Sequence, residues 1–431
     1  MTPAVAQSAV FKRLHTLHGA TIELGLDRVS RLLQALGSPE RRLPRVIHVA
    51  GTNGKGSTVA FLRAGLEAAG LTTNVFTSPP LIRFGECIRR RGRLMDEADL
   101  IGALERVERI NAGQPITFYE CLAATAFLLF AEEPADVTLV EVCLGGRDDA
   151  TNVFPHPAVV AVTPIDMDHM EFLGPTLGDI ARAKAGVIKP GAALVAAPQA
   201  PAALQALREA AEAAGVAMAL GGVEWHAAAT ADGMTFTDGA RQFRLPAPAL
   251  AGPWQIGNAS LALAALNRLP GFKLTAAHAA SALTEAEWPG RLQRLTDGPL
   301  AARAKGRPLW IDGGHNPAAA RALAGAIKAW PLRPTAIVGM LRRKDATGFL
   351  AALRPAVSEV ACIAIPAVDA YPAAALAAAA AAAGLAATPY DSLEAAVDAA
   401  AAHAPADAPI LICGSLALAG HALQSTRAMD L

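Results

Sequence analysis

Short apolar runs alternate with amphipathic stretches along most of the chain. In "STVAFLRAGLEAAG", for example, Val59, Leu62 and Leu66 recur at helical spacing, and Gly70 is a typical stop signal. Alternating buried strands and helices are typical of a parallel sheet covered by helices on both faces. We therefore predict an α/β fold. The predicted strands of its first part are "RVIHVA", "TTNVFT", "VTLVEV", "AVVAVTPI" and "AALVAAP".

The strand and helix pattern restarts after a polar stretch, "LAARAKGRP" at 300–308, which we interpret as part of a linker. A chain of 431 residues exceeds what one hydrophobic core usually supports. We predict two domains, at 1–296 and 297–431, of which the second is the smaller. Its predicted strands are "LWIDGGH", "TAIVGM", "VACIAIP" and "PILICGS".

Composition and charge exclude several classes of partner. The formal net charge is zero, and we interpret the densest basic run, "RRRGR" at 89–93, as a solvated hairpin or loop. We therefore expect neither a nucleic-acid nor a membrane partner. The scattered cysteines lack a C-x-x-C pair and the N-terminus lacks a signal pattern, so we expect a cytoplasmic protein. We interpret the alanine-rich stretch "PAAALAAAAAAAGLAA" as a helical surface without function.

The stretch "RVIHVAGTNGKGST" at 45–58 has the features of a phosphate-binding loop between a strand and a helix. It departs from the common G-x-x-x-x-G-K-[ST] pattern, because Val49 replaces the first glycine and Gly56 follows Lys55. Its backbone N–H groups and the helix N-terminus favour phosphate, and Lys55 adds a full charge. Ser57 or Thr58 would offer a hydroxyl to Mg²⁺. The alternative is a glycine-rich turn with a solvated lysine.

Polar side chains follow other predicted strands of the same sheet. Ser78 follows the second strand, Glu141 ends the third, and His169 lies beyond the fourth. Ligands of open parallel sheets bind beyond the carboxyl ends of the strands, and a buried carboxylate needs a partner or a cation. Together these residues predict a magnesium site. Each alone would be an ordinary turn or loop residue.

Nine motifs occur in order along the chain: "LHGATIELGLDRVSRLLQALG", "HVAGTNGKGST", "TSPPLIRFGECIR", "TFYECLAATAF", "EVCLGGRDDATN", "DHMEFLGPTLGDIARAKAGVIKPG", "NASLALAAL", "WPGRLQRL" and "DGGHNPAAARAL". In these motifs the chain resembles the folylpolyglutamate synthase/dihydrofolate synthase family, a branch of the Mur ligase superfamily. A glycine after the loop lysine is the form found in the folate branch. The resemblance implies a P-loop parallel-sheet ATPase domain and a smaller Rossmann-like C-terminal domain.

The resemblance also implies the reaction. ATP phosphorylates a substrate carboxylate, and the amino group of L-glutamate attacks the acyl phosphate to form an amide. The acceptors would be 7,8-dihydropteroate and reduced folates. The cofactors would be ATP, Mg²⁺ at two sites and K⁺. We expect a monomer.

Carried over residue by residue, the resemblance assigns Ser57 to the magnesium ion that accompanies ATP, and Ser78, Glu141 and His169 to a second one. Lys184 matches a lysine that the family carbamylates, which would make it an anionic ligand. We expect Lys55, His169 and Lys184 to be catalytic. Asn258 and Arg291 would bind ATP from the first domain, with further contacts from the second. The complete predicted ATP set is Thr52, Asn53, Gly54, Lys55, Gly56, Ser57, Thr58, Asn258, Arg291, Asp312 and His315.

Five positions depart from the family pattern. Pro80 replaces a usual histidine, Cys143 a usual glycine and Asp148 an apolar residue, and Pro164 and Asp166 stand where small neutral residues are commoner. Alternative functions also remain. A Mur-type peptidoglycan ligase would carry another domain before the phosphate loop, and only 50 residues precede Gly51. A monofunctional dihydrofolate or folylpolyglutamate synthase would have the same motifs. A non-catalytic nucleotide-binding regulator would not require Glu141 and His169.

Overall fold

The computed structural model describes residues 8–17, 23–367, 369–405 and 407–424. Part of the first family motif, residues 18–22, therefore lies outside the described residues. The chain divides into two compact units. The first unit comprises Met1–Asp166, Met170–Ala249 and Gln255–Glu287, and the second comprises Met167–His169, Leu250–Trp254 and Trp288–Leu431. This division falls before the sequence-based boundary at 296/297, and it places two short segments of the earlier chain in the second unit.

The first unit is built on a large, mostly parallel sheet. The strands of the first unit are β1 (Val46–Ala50), β2 (Thr73–Phe76), β3 (Ile88–Arg90), β4 (Arg93–Leu94), β5 (Val137–Glu141), β6 (Val159–Val162), β7 (Ala193–Ala196), β8 (Met218–Leu220), β9 (Trp225–Thr230), β10 (Gly233–Asp238) and β11 (Arg241–Leu245). The large sheet has the order β4-β3-β2-β5-β1-β6-β7-β8. Its strands are parallel except for the β3–β4 hairpin, which contains the "RRRGR" run. The five predicted strands of this region are confirmed as β1, β2, β5, β6 and β7.

Helices separate the strands, as the sequence predicted. They are α1 (Ala9–Leu17), α2 (Asp27–Ala35), α3 (Lys55–Ala68), α4 (Glu97–Asn111), α5 (Phe118–Glu132), α6 (Met170–Leu173), α7 (Leu177–Ala185), α8 (Pro201–Ala214), α9 (Trp254–Leu266) and α10 (Ala276–Thr284). Helix α5 is buried along most of its length, and Thr117 and Glu120 cap its N-terminus reciprocally. Its Phe127 lies in the core with Phe76 of β2 and Phe154. This packing anchors Phe76, the last residue of β2.

The sequence did not predict the three-stranded antiparallel sheet β11-β10-β9. Five of the six residues of β9 are exposed, and its "WHAAAT" sequence lacks an apolar run. A strand that buries so little has no hydrophobic pattern for sequence analysis to detect.

The second unit has its own six-stranded sheet, in the order β12-β13-β17-β14-β15-β16. The edge strand β12 is antiparallel to β13, and the other neighbours are parallel. The four predicted strands are confirmed as β13, β14, β15 and β17. The strands are β12 (Gln293–Leu295), β13 (Leu309–Ile311), β14 (Thr335–Val338), β15 (Glu359–Ile363), β16 (Ala387–Tyr390) and β17 (Ile410–Cys413). The helices are α11 (Gly298–Arg303), α12 (Pro317–Ile327), α13 (Ala346–Leu353), α14 (Ala373–Ala382), α15 (Leu393–His403) and α16 (Leu416–Leu423).

The linker interpretation of 300–308 is wrong for its first residues, which form helix α11. Leu300 and Ala304 are four residues apart and both are buried, so the segment packs as a helix end. The alanine-rich segment forms helix α14, as expected, and buries only Leu376 and Ala380. Among the described residues, no helix has the length and apolar character needed to cross a membrane.

Candidate active site

The phosphate loop connects β1 to α3 through two glycines in positive-φ conformations. Gly51 has φ of 133° and Gly54 of 91°. A Cβ on Gly51 would lie 1.9 Å from Thr163 Oγ1, and one on Gly54 would lie 2.3 Å from Asn258 Oδ1. Glycine is therefore required at both positions, for conformation and for space. The loop backbone packs directly against the residue that follows β6 and against helix α9.

Hydrogen bonds fix the loop in this position. The backbone N–H of Thr52 donates to Pro164 O at 3.0 Å. The Thr52 hydroxyl donates to Asp166 O and accepts from Asp166 N, both at 3.1 Å. Lys55 Nζ donates to Thr52 O at 3.2 Å, which curls its side chain back over the loop. The ammonium group thus lies at the N-terminus of α3, where an anion is favoured.

Side chains of α9 lie beside the hydroxyl of Ser57, the loop residue that we predict to bind Mg²⁺. Gln255 Nε2 donates to Ser57 Oγ at 3.4 Å, and Asn258 Nδ2 donates to Gln255 Oε1 at 2.9 Å. The hydroxyls of Thr58 and Thr163 are buried without a hydrogen-bond partner among the described residues. Buried hydroxyls normally have partners, so these two indicate that the loop is shaped for a polar ligand. The residues present therefore fit a nucleotide phosphate with its cation.

Ser78 and Glu141 lie at the carboxyl ends of two neighbouring strands, β2 and β5. Both are buried, with 8% and 5% exposure. The sheet order brings them to one edge, because β5 pairs with β2 on one side and with β1, which leads into the phosphate loop, on the other. Their oxygen atoms are the kind of ligand that Mg²⁺ prefers.

Two further side chains adjoin Ser78. Its hydroxyl donates to Tyr119 Oη at 3.5 Å, and it also contacts the Cys143 thiol. Burial and the nearby Asp149 raise the pKa of Cys143 to about 11, although Lys55 opposes the shift. Cys143 is therefore a neutral thiol in the wall beside Ser78, and it lies close enough to Lys55 and Glu141 to interact with both charges.

Lys184 projects from the last turn of α7 toward the phosphate loop. It is 4% exposed, and its Nζ donates to Gly51 O at 2.9 Å. The loop after β5 packs on this helix, since a Cβ on Gly146 would lie 2.7 Å from Lys184 O. Lys184 is therefore a deeply buried lysine within hydrogen-bonding distance of the phosphate loop.

In the second unit, Asp312 ends β13 and organises the turn that follows. Its two carboxylate oxygens accept from Gly314 N at 2.7 Å and Leu292 N at 2.9 Å. Burial raises the pKa of Asp312, and Arg291 and these amides oppose the shift. His315 Nδ1 lies 3.0 Å from Gly313 O, which holds its ring over the same turn. Asp312, His315 and Arg291, three of the predicted ATP residues, therefore lie together.

A second carboxylate of this unit, Asp168, has four polar neighbours. It lies 2.7 Å from Lys344 Nζ, 3.1 Å from Asn316 Nδ2, 3.6 Å from His315 Nε2 and 3.8 Å from His169 Nε2. Burial alone would raise the pKa of Asp168, but the hydrogen bond from His315 and the Lys344 charge lower it far below its usual range. The carboxylate is thus ionised and firmly held.

The structure places the predicted residues in two groups. The phosphate loop, Asn258, Ser78, Glu141 and Lys184 belong to the first unit, whereas Arg291, Asp312, His315 and His169 belong to the second. Arg291 had been assigned to the first domain on sequence. The convergence of Ser78, Glu141 and His169 on one ion stays a prediction.

Sequence analysis missed Gln255, Asp168 and Lys344. The only sequence signal for Asp168 was its position next to the predicted ligand His169. No local pattern marks Lys344, because its partner lies 176 residues away.

The structure combines a phosphate loop on a parallel sheet with buried carboxylate and lysine groups at the same edge. It also has a separate Rossmann-like unit. These features together define the class of Mur-type ATP-dependent ligases. The chain matches the family model for the Mur ligase middle domain over residues 49–266, and that for the Mur ligase glutamate ligase domain over residues 290–416.

Individual relatives narrow the class. The chain is 34% identical to the dihydrofolate synthase/folylpolyglutamate synthase of Escherichia coli over 95% of this chain and 93% of that protein. It is 36% identical to the Bacillus subtilis enzyme of the same name over 71% of this chain and 73% of that protein. A structure of E. coli FolC in complex with DHPP and ADP superposes with a TM-score of 0.87 at 33% identity, covering 98% of each chain. The chain belongs to the dihydrofolate synthase/folylpolyglutamate synthase family and is an ATP-dependent, ADP-forming carboxylate–amine ligase.

Proposed function

We propose that this enzyme joins L-glutamate to 7,8-dihydropteroate and also adds glutamate to reduced folates. The E. coli relative, which matches nearly the whole chain, is named for both activities. A solved bifunctional relative, 32% identical with a TM-score of 0.84, carries Mn, AMPPNP and L-glutamate. The observation on this chain that best supports ATP-dependent chemistry is the phosphate loop, whose glycines leave no room for a Cβ beside Thr163 and Asn258.

The reaction proceeds through an acyl phosphate. The acceptor carboxylate attacks the γ-phosphorus of ATP, which releases ADP. The glutamate amine then attacks the acyl carbon and releases phosphate. Negative charge develops on the transferring phosphoryl group, so cations must surround it. Lys55 supplies the loop's positive side chain, and the α3 N-terminus supplies backbone N–H groups.

Mg²⁺ would supply charge neutralisation at the phosphates when it is bound. Ser57, held by Gln255, is the ligand that we propose for the ion that accompanies ATP. Ser78 and Glu141 supply oxygen ligands for a second ion, and His169 is its third proposed ligand. Among the described residues no three His, Cys, Asp or Glu side chains form a ready metal cluster. The ligand set proposed for the second ion includes Ser78, and serine is not one of those four residue types.

Lys184 is the proposed site of the carbamate. Its burial and its 2.9 Å contact with Gly51 O support a role beside the loop. A carbamate there would convert a cation into an anion that orients a metal ion, and K⁺ completes the proposed cofactors. We propose that the enzyme acts as a cytoplasmic monomer and that ATP contacts residues of both units.

An acceptor assay tests this function. Purified enzyme with ATP, Mg²⁺, K⁺ and L-glutamate is given dihydropteroate, tetrahydrofolate or a UDP-muramyl acceptor, and phosphate release is followed with product formation. We expect turnover with both pterins and none with the muramyl compound. Turnover with one pterin would identify a monofunctional enzyme. Turnover with the muramyl acceptor alone would replace the folate assignment by a peptidoglycan one.

A further inference from the structure

His169 has a backbone conformation that few residues other than glycine adopt. Its φ is +54°, in the left-handed region, which is unfavourable for a residue with a Cβ. The preceding side chain offsets this cost, because Asp168 Oδ1 accepts the His169 backbone N–H at 2.9 Å. Aspartate side chains commonly stabilise turns by such local bonds. Strained backbone of this kind is often found at functional sites.

The imidazole of His169 is held as well as its backbone. Lys344 Nζ lies 3.2 Å from His169 Nε2 and 2.7 Å from Asp168 Oδ1. An ammonium group can only donate, so Nε2 must accept and the ring proton must lie on Nδ1. Lys344 is 8% exposed, and Asp168 is the carboxylate that neutralises it. Asp168 therefore holds the lysine that sets the tautomer of His169.

We propose that Asp168 is a positioning residue for the metal step: it fixes the left-handed backbone of His169 and, through Lys344, keeps the Nε2 lone pair free of a proton. This inference rests on the proposed function, in which His169 is a metal ligand. A metal ion requires an unprotonated ring nitrogen, and groups behind a ligand commonly set its orientation and tautomer. A metal ion at Nε2 takes the place of the Lys344 contact, and Asp168, which still accepts from Lys344, offsets the ammonium charge that would otherwise repel the ion.

Direct metal binding tests the proposal without relying on turnover. Mn²⁺ affinity in the presence of ADP is measured by electron paramagnetic resonance of free Mn²⁺ for wild type, Asp168→Ala and Asp168→Asn. We expect Asp168→Ala to weaken Mn²⁺ binding at the proposed second site by about 10–100-fold. Asp168→Asn keeps an oxygen for the His169 N–H but loses the charge that holds Lys344, so its loss should be smaller.

Asp398→Asn is the matched control, because Asp398 pairs with Arg303 at 2.5 Å in the same unit but is 46% exposed. It should bind Mn²⁺ like wild type. Unchanged Mn²⁺ affinity in both Asp168 variants would overturn the proposal.

A spectroscopic measurement separates this inference from the metal assignment. Long-range ¹H–¹⁵N spectra of histidine-labelled, metal-free enzyme report ring tautomers, and His169→Asn identifies the His169 signals. We expect the Nδ1–H form in wild type and a mixture of tautomers in Asp168→Ala. If Glu141→Ala and His169→Asn leave Mn²⁺ binding unchanged, the proposed second metal site is wrong. The ring tautomer of His169 in Asp168→Ala then still tests the role of Asp168. If Glu141→Ala weakens binding but Asp168→Ala changes neither affinity nor tautomer, the positioning role fails.

Discussion

The two units position their polar side chains in different ways. In the first unit, one continuous segment from β1 to α3 forms the phosphate loop, and its glycines pack against Thr163 and Asn258. In the second, separate segments converge on one carboxylate, Asp168, which lies far in sequence from Lys344 and Asn316. The first site therefore depends on backbone geometry and close packing, and the second on a buried charge.

This difference predicts different sensitivities. A site made by backbone packing should fail when a Cβ is added, because a Cβ on Gly51 would lie 2.9 Å from the backbone oxygen of Thr163, and Asn258, the neighbour of Gly54, is held by its hydrogen bond to Gln255. A site made by a buried ion pair should fail when one charge is removed, because the remaining charge is left buried without compensation.

Lys55→Ala should have the largest effect. It removes the full charge from the phosphate loop, so we expect kcat to fall by roughly 10²–10³-fold or more. ADP, phosphate and product should disappear together in a coupled assay. Lys273→Ala, at an exposed lysine of the same unit, is the control and should retain full activity. ADP release that persists without product would contradict the proposed role.

Glu141→Ala should reduce turnover more than ATP binding. We expect a roughly 10²-fold fall in kcat and a weaker response to Mg²⁺, because a buried oxygen ligand is lost. Steady-state kinetics over a range of Mg²⁺ concentrations, with ATP affinity from calorimetry, would check this. Glu209→Ala, at an exposed position on α8, serves as the control. A variant that loses ATP binding and keeps its Mg²⁺ response would argue against a metal ligand.

Gly54→Ala and Gly70→Ala form a matched pair that isolates close packing. Both glycines have positive φ, of 91° and 77°, but only a Cβ on Gly54 meets a neighbour, Asn258 Oδ1 at 2.3 Å. Gly70→Ala should cost about 1–2 kcal/mol of unfolding free energy from backbone strain alone. Gly54→Ala should cost roughly 2–4 kcal/mol and raise the KM for ATP. Equal losses from chemical denaturation would show that packing adds nothing at the loop.

The smallest effects should appear in the pH dependence of stability, with opposite signs in the two units. The pKa of Asp168 is lowered, so its stabilisation is present above its ordinary value of 3.8 and is lost as the pH falls below it. Burial raises the pKa of Asp149, despite hydrogen bonds from Leu144 and Thr151, so its contribution is greatest at low pH and is lost as the pH rises through the folded pKa.

Melting temperatures of the Asn variants between pH 3 and 7 would check these signs. Asp168→Asn should lose less stability than wild type on acidification, whereas Asp149→Asn should lose less as the pH rises from 4. The same slope in both variants would contradict the comparison.

The parallel strands, the phosphate loop and the family are predictable from the sequence, because they depend on contiguous patterns. Short continuous buried runs identify β1 and β5, and Gly51, Gly54 and Lys55 lie within five residues of one another. The sequence did not reveal β9, which buries almost nothing, or helix α11 at 298–303, where one buried residue, Leu300, leaves no period to detect.

The side chains that support the predicted site residues become visible when the chain is folded. Gln255 reaches Ser57 because α9 packs beside α3, and Lys344 reaches Asp168 across 176 residues of chain. Hydrophobic period and turn chemistry act over a few residues, so they specify elements and loops. A hydrogen bond or ion pair between distant segments depends on where the packed elements bring their side chains, and no local pattern records that position.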